Sequence, residues 1–500
     1  MYYPSKEQFL ELSRKGNLIP IYREILGDLE TPVTAYLKIA KDAKYSFLLE
    51  SVEGEEKVAR YSFLAKDPEL VFESKGRNAR IIHFTNGHEK GGELKVVDTP
   101  LSFIREIMSQ YKPVAVAGLP PFYGGMVGTM GYDVVRFFER LPQKTKDDLK
   151  LPDMVMLLSK NLIIFDHLNH KIKIVACAHI DSKTSERQRL KAYDQAVEKI
   201  DQLLLELNTP LSIDHENKEA IKTFKIKSNF TKEKFEEIVQ KGKQHIKIGD
   251  IIQVVLSQRF EVKIRTSALN IYRALRALNP SPYMYFLKMD DVHIAGSSPE
   301  LLIRVENGVV ETRPIAGTRR RGKDDAEDQA LAQELLADPK EKAEHIMLVD
   351  LGRNDLGRVC ERGTVSVSEF MAVEKYSHVM HLVSNVKGHL RKDRTIYDVL
   401  AASFPAGTVS GAPKIRAMEI IEDLEHVTRG PYAGAIGYFS FSGNLDTCIT
   451  IRTIVVKNGV AYTQAGAGIV ADSDPQKEYM ETINKAKAQI AAIELADKLT

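Results

Sequence analysis

The 500-residue sequence contains no tryptophan and only three cysteines, Cys177, Cys360 and Cys448. The cysteines are far apart and form no C-x-x-C pair. That excludes the usual zinc spacings and a disulfide framework, and it fits a reducing compartment. No run of eighteen apolar residues occurs, so no helical membrane span is expected. The opening "MYYPSKEQFLELSRKGN" is polar with helical periodicity. It lacks the apolar centre of a signal peptide, so the chain reads as cytoplasmic. An excess of one charge is also lacking. Lys and Arg number 70 against 68 Asp and Glu, a formal net charge of +2. No nucleic-acid footprint exists at the scale of the whole chain, and basic clusters have to be read locally.

What is present is an ordinary globular composition, 43% hydrophobic and 28% charged. The length exceeds what one core usually serves, so two domains are expected. Residues 182–207 alternate charged and apolar residues at helical spacing and read as one amphipathic helix. The polar, aperiodic stretch that follows contains Pro210 and reads as a linker over 208–229. It divides an N-terminal region, 1–207, from a C-terminal region, 230–500. Hairpins are signalled by Asn86-Gly87, Asn307-Gly308 and Asn458-Gly459, each between apolar runs, because both residues tolerate positive φ. Helices are expected over 231–247, 325–351, 413–424 and 474–499. Antiparallel strand pairs followed by blocks of helices indicate an α+β protein with large antiparallel β-sheets packed as a sandwich with flanking helices.

Two glycine-rich stretches imitate nucleotide sites. "GAGIVA" (466–471) fits a dinucleotide fingerprint but is followed by "DSDPQ", so no helix opens where the fingerprint needs one. Its glycines still allow close approach of backbone N–H groups to a ligand. "GTVSGAPK" (407–414) has the wrong spacing for a P-loop. It reads as a helix start capped by Ser410 with Pro413 in the first turn, which either simply caps or holds a carboxylate or phosphate.

Two helices carry paired carboxylates three residues apart, Glu341 with Glu344 and Glu478 with Glu481. Such pairs share a helix face. They are either solvated faces or an all-oxygen site for a hard cation such as Mg²⁺, which completes its shell with water and substrate oxygens. The stretch "TRPIAGTRRRGK" (312–323) places five cationic side chains around Gly317-Thr318. The glycine N–H and the threonine hydroxyl suit an anionic oxygen. Arg452, expected on a strand, can bind a carboxylate in bidentate fashion, and Gly466 and Gly468 add backbone donors. Residue chemistry thus points to a magnesium-dependent enzyme acting on a small carboxylic acid.

Seven ordered stretches carry a resemblance: "RPIAGTRRRG", "AEHIMLVDLGRNDLGRV", "VMHLVSNVKG", "SFPAGTVSGAPKIRAMEIIEDLE", "GPYAGAIGYFSF", "LDTCITIRT" and "QAGAGIVADSDPQKEYMETINKA". Together they resemble the chorismate-utilising enzymes, and within them those that form anthranilate. The resemblance runs from about residue 230 to the C-terminus. "FLLESVEGEEKVARYSFLAKDPE" resembles the family's regulatory part. It implies conversion of chorismate and ammonia to anthranilate and pyruvate. It implies substrate contacts from Gly317, Thr318, Tyr432, Arg452, Gly466, Ala467 and Gly468. Glu344 and Glu481 would hold Mg²⁺, with Glu341 and Glu478 as neighbours. Glu300 matches the candidate general acid for the departing C4 hydroxyl, and His381 is implicated in later steps. Gln253 stands where water-adding relatives place a lysine. Ala316 stands where the aminodeoxychorismate-forming sister enzymes have a nucleophilic lysine, which implies direct attack by ammonia.

None of the cysteines has a glutaminase context, so the resemblance also implies a separate glutamine amidotransferase subunit. Glu50 and Ser51 in "LLES", with Pro282, Tyr283 and Met284 in "NPSPYMYF", resemble a feedback site for L-tryptophan. Arg60 lies near a position that is basic in relatives. An aromatic and a thioether suit an indole, although "PYMYF" also reads as a strand entering the core. The absence of tryptophan from the chain suits an enzyme made when that amino acid is scarce, and chance explains it nearly as well.

Overall fold

The computed structural model describes residues 1–51, 60–85, 87–181, 184–211, 224–376 and 379–498. Two large antiparallel sheets dominate it. The first runs in the order Tyr2–Tyr3, Leu18–Leu26, Lys171–His179, Asn161–Asp166, Tyr61–Lys66, Tyr45–Glu50, Tyr283–Met289, Val292–Ser298, Thr453–Lys457, Val460–Ile469, Gln253–Lys263 and Ile226–Ser228. The short Gly411–Ala412 strand pairs with Gln253–Lys263. The second runs Ile315–Arg320, Val379–His389, Val309–Thr312, Leu301–Glu306, Leu445–Ile449, Ala435–Ser440, Gly125–Met130, Met154–Ser159, Leu70–Lys75, Asn78–Thr85 and His88–Val96. Ser366–Lys375 pairs with Val379–His389.

The central strands, such as Tyr45–Glu50, Tyr283–Met289 and Met154–Ser159, are largely apolar on both faces because both faces are covered, whereas the edge strand His88–Val96 is exposed throughout. Phe47, Tyr285 and Leu287 of the first sheet meet Phe72, Met126, Leu157 and Phe439 of the second in one core. Their neighbours Leu48, Met284 and Phe286 point the other way, against Tyr36, Ile271, Tyr272 and Ile493 of the outer helices. Side chains alternate with a period of two along a strand, so one strand feeds both cores.

Each sheet takes strands from either side of residues 208–229. Tyr45–Glu50 pairs with Tyr283–Met289, and Gly125–Met130 pairs with Ala435–Ser440. Most of the linker lies outside the described residues, as does Asn86. The strands flanking Asn86 nevertheless pair as expected, with Thr85 opposite His88. Asn307-Gly308 and Asn458-Gly459 close tight hairpins with all four residues at positive φ. The amphipathic helix is Glu186–Leu207.

Three local expectations fail. The helix expected over 325–351 is two helices, Asp325–Ala337 and Pro339–Gly357. Asp338 stops the first, and its side chain caps the second, whose first residue is Pro339; proline tolerates only a helix start. Ser410 is no cap: its hydroxyl donates to Ala406 O at 2.8 Å, and helix Lys414–Leu424 begins without a side-chain cap. Arg452 is not on a strand. It sits between Leu445–Ile449 and Thr453–Lys457 with φ +49°. No described helix is long and apolar enough to cross a membrane.

Candidate active site

The cationic stretch at 312–323 meets the chain's own acids. Arg319 donates to Glu334 at 2.9 Å, Asp338 at 2.8 Å and Glu341 at 3.4 Å. Arg321 grips Asp328 with two bonds of 2.9 and 3.0 Å. Arg320 pairs with Glu327, and Arg313 with Glu374. Arg319, Arg320 and Arg321 fasten the end of the strand Ile315–Arg320 to the acidic helix Asp325–Ala337, and Arg313 ties its start to the strand Ser366–Lys375. Gly317 and Thr318 remain for a ligand. The pairing with Val379–His389 bulges between Ala316 and Arg319. Gly317 has φ +67°, and a Cβ there would lie 2.9 Å from Leu335 and 3.1 Å from Glu341. Only glycine fits that bend.

His381 comes to the bulge from the neighbouring strand. Its Nδ1 lies 2.7 Å from the Gly317 carbonyl and 3.1 Å from the Thr318 hydroxyl. A carbonyl only accepts, so Nδ1 carries the proton and Nε2 keeps a lone pair. Burial pushes the imidazole down to about 4. His381 is therefore neutral near neutral pH and able to accept a proton.

Glu300 follows the strand Val292–Ser298 and is 5% exposed. The Thr408 hydroxyl donates to its Oε1 at 2.7 Å. Burial raises this carboxyl to about 7, against the lowering effect of Thr408, the Ile315 backbone and Arg452. It is a proton donor poised near neutrality. The Arg452 guanidinium is close enough to act on it, and burial makes that guanidinium easier to deprotonate than usual. No described side chain makes a hydrogen bond or ion pair with the guanidinium. Arg452 is half-buried, and a desolvated cation without a carboxylate of its own is costly unless a ligand supplies one.

The third wall is the pair of strands Gln253–Lys263 and Val460–Ile469. Gly468 lies opposite Val255 and Gly466 opposite Ser257. A Cβ on Gly466 would stand 2.6 Å from the Tyr432 hydroxyl, and one on Gly468 2.4 Å from the Gln253 amide nitrogen. Tyr432 and Gln253 thus occupy the room the missing side chains leave. The methyl of Ala467 points to the opposite face, fully buried among Ile238, Val254 and Ile420. As an expected substrate contact, Ala467 has only its backbone to offer. Tyr432 is itself buried, with the Arg429 guanidinium 5.6 Å from its ring.

The carboxylate pairs close the site. Gln253 Nε2 reaches Glu344 at 3.4 Å. Lys485 donates to the Gly466 carbonyl at 3.0 Å and ion-pairs with Glu481 at 2.7 Å. Burial raises the Glu344 carboxyl, and the like charges of Glu341 and Glu481 raise it further. Glu478 is raised by burial and by Glu481. Among the described residues no three His, Cys, Asp or Glu side chains form a ligand group. Two carboxylates that repel each other, with oxygen donors only, fit a hard divalent cation that takes its remaining ligands from water and substrate. Glu344 and Glu481 would be the protein's share, with Glu341, already held by Arg319, and Glu478 behind them.

A second cavity, of about 700 Å³, lies between the sheets and is lined by Glu50, Ser51, Pro282, Tyr283 and Met284. All five residues of the expected feedback site meet there. Glu50 is held by Arg276 through two bonds of 3.1 Å and by the Tyr272 hydroxyl. The buried Ser51 hydroxyl has no partner among the described residues. Arg60, on the rim, is locked to Asp166 by bonds of 3.1 and 3.0 Å. Residues 52–59 of the regulatory motif lie outside the described residues.

Sequence reasoning missed Thr408, Lys485, Tyr272 and Arg276. Lys485 stands four residues after Glu481, and Arg276 four after Tyr272, the spacing of helical neighbours. That spacing was the available signal. Thr408 gave none, because its partner is 108 residues away.

Comparison with known proteins shows the family. The family model described as chorismate binding enzyme matches residues 46–491. Anthranilate synthase component 1 of Acetivibrio thermocellus is 49% identical, with all of both chains aligned. That of Aquifex aeolicus is 47% identical over 99% of this chain and 98% of its own. The crystal structure of anthranilate synthase component I from Streptococcus pneumoniae superposes with a TM-score of 0.75 at 40% identity, over 93% of this chain and 98% of that one. The chain therefore belongs to the chorismate-binding enzymes, within the anthranilate synthase component 1 family.

Proposed function

We propose that this chain is a lyase that converts chorismate and ammonia to anthranilate and pyruvate, the entry to tryptophan biosynthesis. Full-length relatives bearing the component 1 name support the reaction and imply a partner component. The observation that carries the reading is Glu300 beside Arg452: a buried acid near neutrality and a half-buried guanidinium without a carboxylate of its own. Chorismate supplies what both lack, a carboxylate and a hydroxyl leaving group.

Arg452 and the backbone around Gly466 and Gly468 bind and orient the substrate. Tyr432 walls the ring and keeps water out. Mg²⁺ held by Glu344 and Glu481 would neutralise the ring carboxylate and draw electrons from the ring. Ammonia attacks C2 directly, since neither Ala316 nor Gln253 offers an amine or a general base. Glu300 gives its proton to the C4 hydroxyl, which leaves as water. His381, neutral with a free Nε2, is placed to take a proton as pyruvate departs. Aromatisation drives that step, so the site has chiefly to keep the intermediate in reach.

The implied partner is a glutamine amidotransferase subunit that supplies ammonia. L-tryptophan is the proposed inhibitor, bound in the cavity at Ser51 and Met284. Ser51→Phe should abolish inhibition and leave uninhibited activity intact; equal inhibition of variant and parent would reject that site. For the reaction itself, the purified chain is mixed with chorismate, Mg²⁺ and excess ammonium. Anthranilate fluorescence and released pyruvate are expected. An amino product that keeps its enolpyruvyl group would reject the reading.

A further inference from the structure

Glu300 must be recharged. In the proposed reaction its proton leaves in the water formed from the C4 hydroxyl, while the attacking ammonia sheds a proton to solvent. The site regains its starting state only when a proton returns to a carboxylate that is 5% exposed and covered by substrate or product.

A small cavity of about 30 Å³ opens onto that carboxyl. The volume is enough for a single water, which needs two or more polar partners to be stable there. Its polar lining comes from Glu300, Thr312, Thr408, Ser403 and Asp355, with leucines between them. Asp355 is 8% exposed. Lys414 donates to its Oδ2 at 2.9 Å and approaches the Ser403 carbonyl at 3.5 Å. Asp355 and Lys414 take no other part in the chemistry. The charged groups facing Asp355 are Lys414 and Arg358, and those facing Glu300 are Arg452 and Lys485.

We propose that Asp355, held by Lys414, returns the proton to Glu300 through water in this cavity. Asp355 takes a proton from solvent at the Lys414 end. Its O–H bond breaks, the cavity water passes the proton on, and an O–H bond forms on Glu300; no electrons leave or enter the site. Burial favours the protonated form of Asp355, and Lys414 opposes it; the net effect raises the carboxyl above its ordinary value, which suits a group that has to take up a proton and pass it on. The inference rests on Glu300 as the acid. Asp355 is a positioning residue that acts through Glu300.

The test separates first from later turnovers. Each chain is rapidly mixed with chorismate, Mg²⁺ and ammonium just below neutral pH, where Glu300 begins protonated. Asp355→Asn removes the carrier. Gly352→Ala narrows the cavity without touching a charge: the added methyl would lie 3.1 Å from Thr312 Cγ2 and 3.6 Å from Pro314 Cγ, both on the cavity wall. In both variants the first turnover should keep the parent rate, and later turnovers should fall at least about tenfold below the parent. A structural defect would slow both phases alike. Equal slowing of both phases, or none in either, overturns the proposal. Glu300→Gln is run alongside. If it keeps the first turnover, the assignment of the acid fails, a result distinct from failure of the relay.

Discussion

Replacing Glu300 by glutamine should separate its chemistry from its burial. The amide keeps the shape and can accept from Thr408, but it has no proton to give. The rate with ammonium should fall about 10²- to 10⁴-fold, the usual worth of a general acid. In the parent, kcat/KM should decline as pH rises through about 7, where the carboxyl loses its proton. Stability gives an independent reading. The folded-state carboxyl titrates near 7, above its ordinary value of 4.5. The folded state thus binds this proton more tightly, and its contribution is complete below 4.5 and lost as pH rises through 7. Above that pH Glu300→Gln should be more stable than the parent by about 3 kcal/mol in urea unfolding, and similar at low pH. The sequence motifs made Glu300, His381 and Arg452 legible as residues. They did not show that burial makes one an acid and another a neutral base, since desolvation depends on what packs around a group.

Along single elements, the strand Val460–Ile469 offers a sharper test. A methyl on Gly466 meets the Tyr432 hydroxyl at 2.6 Å, Val255 at 3.0 Å and the Leu256 carbonyl at 3.1 Å. A methyl on Gly468 meets chiefly the end of Gln253, which can swing away. Gly466→Ala should therefore cost about 1–3 kcal/mol and most chorismate binding. Gly468→Ala should cost less of both; the reverse order in unfolding and binding titrations would contradict this account of the wall. Hairpins were read correctly from Asn-Gly because turn chemistry is local. The helix over 325–351 was read too long because Asp338-Pro339 was passed over within an otherwise helical pattern. Arg452 was misplaced because alternation alone does not reveal a left-handed residue between strands.

Across the whole molecule, residues 1–207 and 230–500 share both sheets. Chains cut after Pro210 should fail to fold when made apart and should recover activity when made together, through the Tyr45–Glu50 and Gly125–Met130 pairings. Independent folding of either piece, measured by circular dichroism and unfolding, would disprove that dependence. The same sharing brings Glu50 and Ser51 onto the cavity wall with Pro282, Tyr283 and Met284, residues more than two hundred positions on. By itself the sequence determined the α+β class, the hairpins, the residue types of the site and, through its motifs, the family. Those follow from local periodicity, turn chemistry and side-chain identity. Only the tertiary structure decided that the arginines of 313–321 serve the protein's own acids, that Ala467 faces the core, and that Thr408 and Asp355 stand near Glu300. Contacts between distant residues depend on strand register and on which face each side chain takes, and neither is written in any local stretch of the chain.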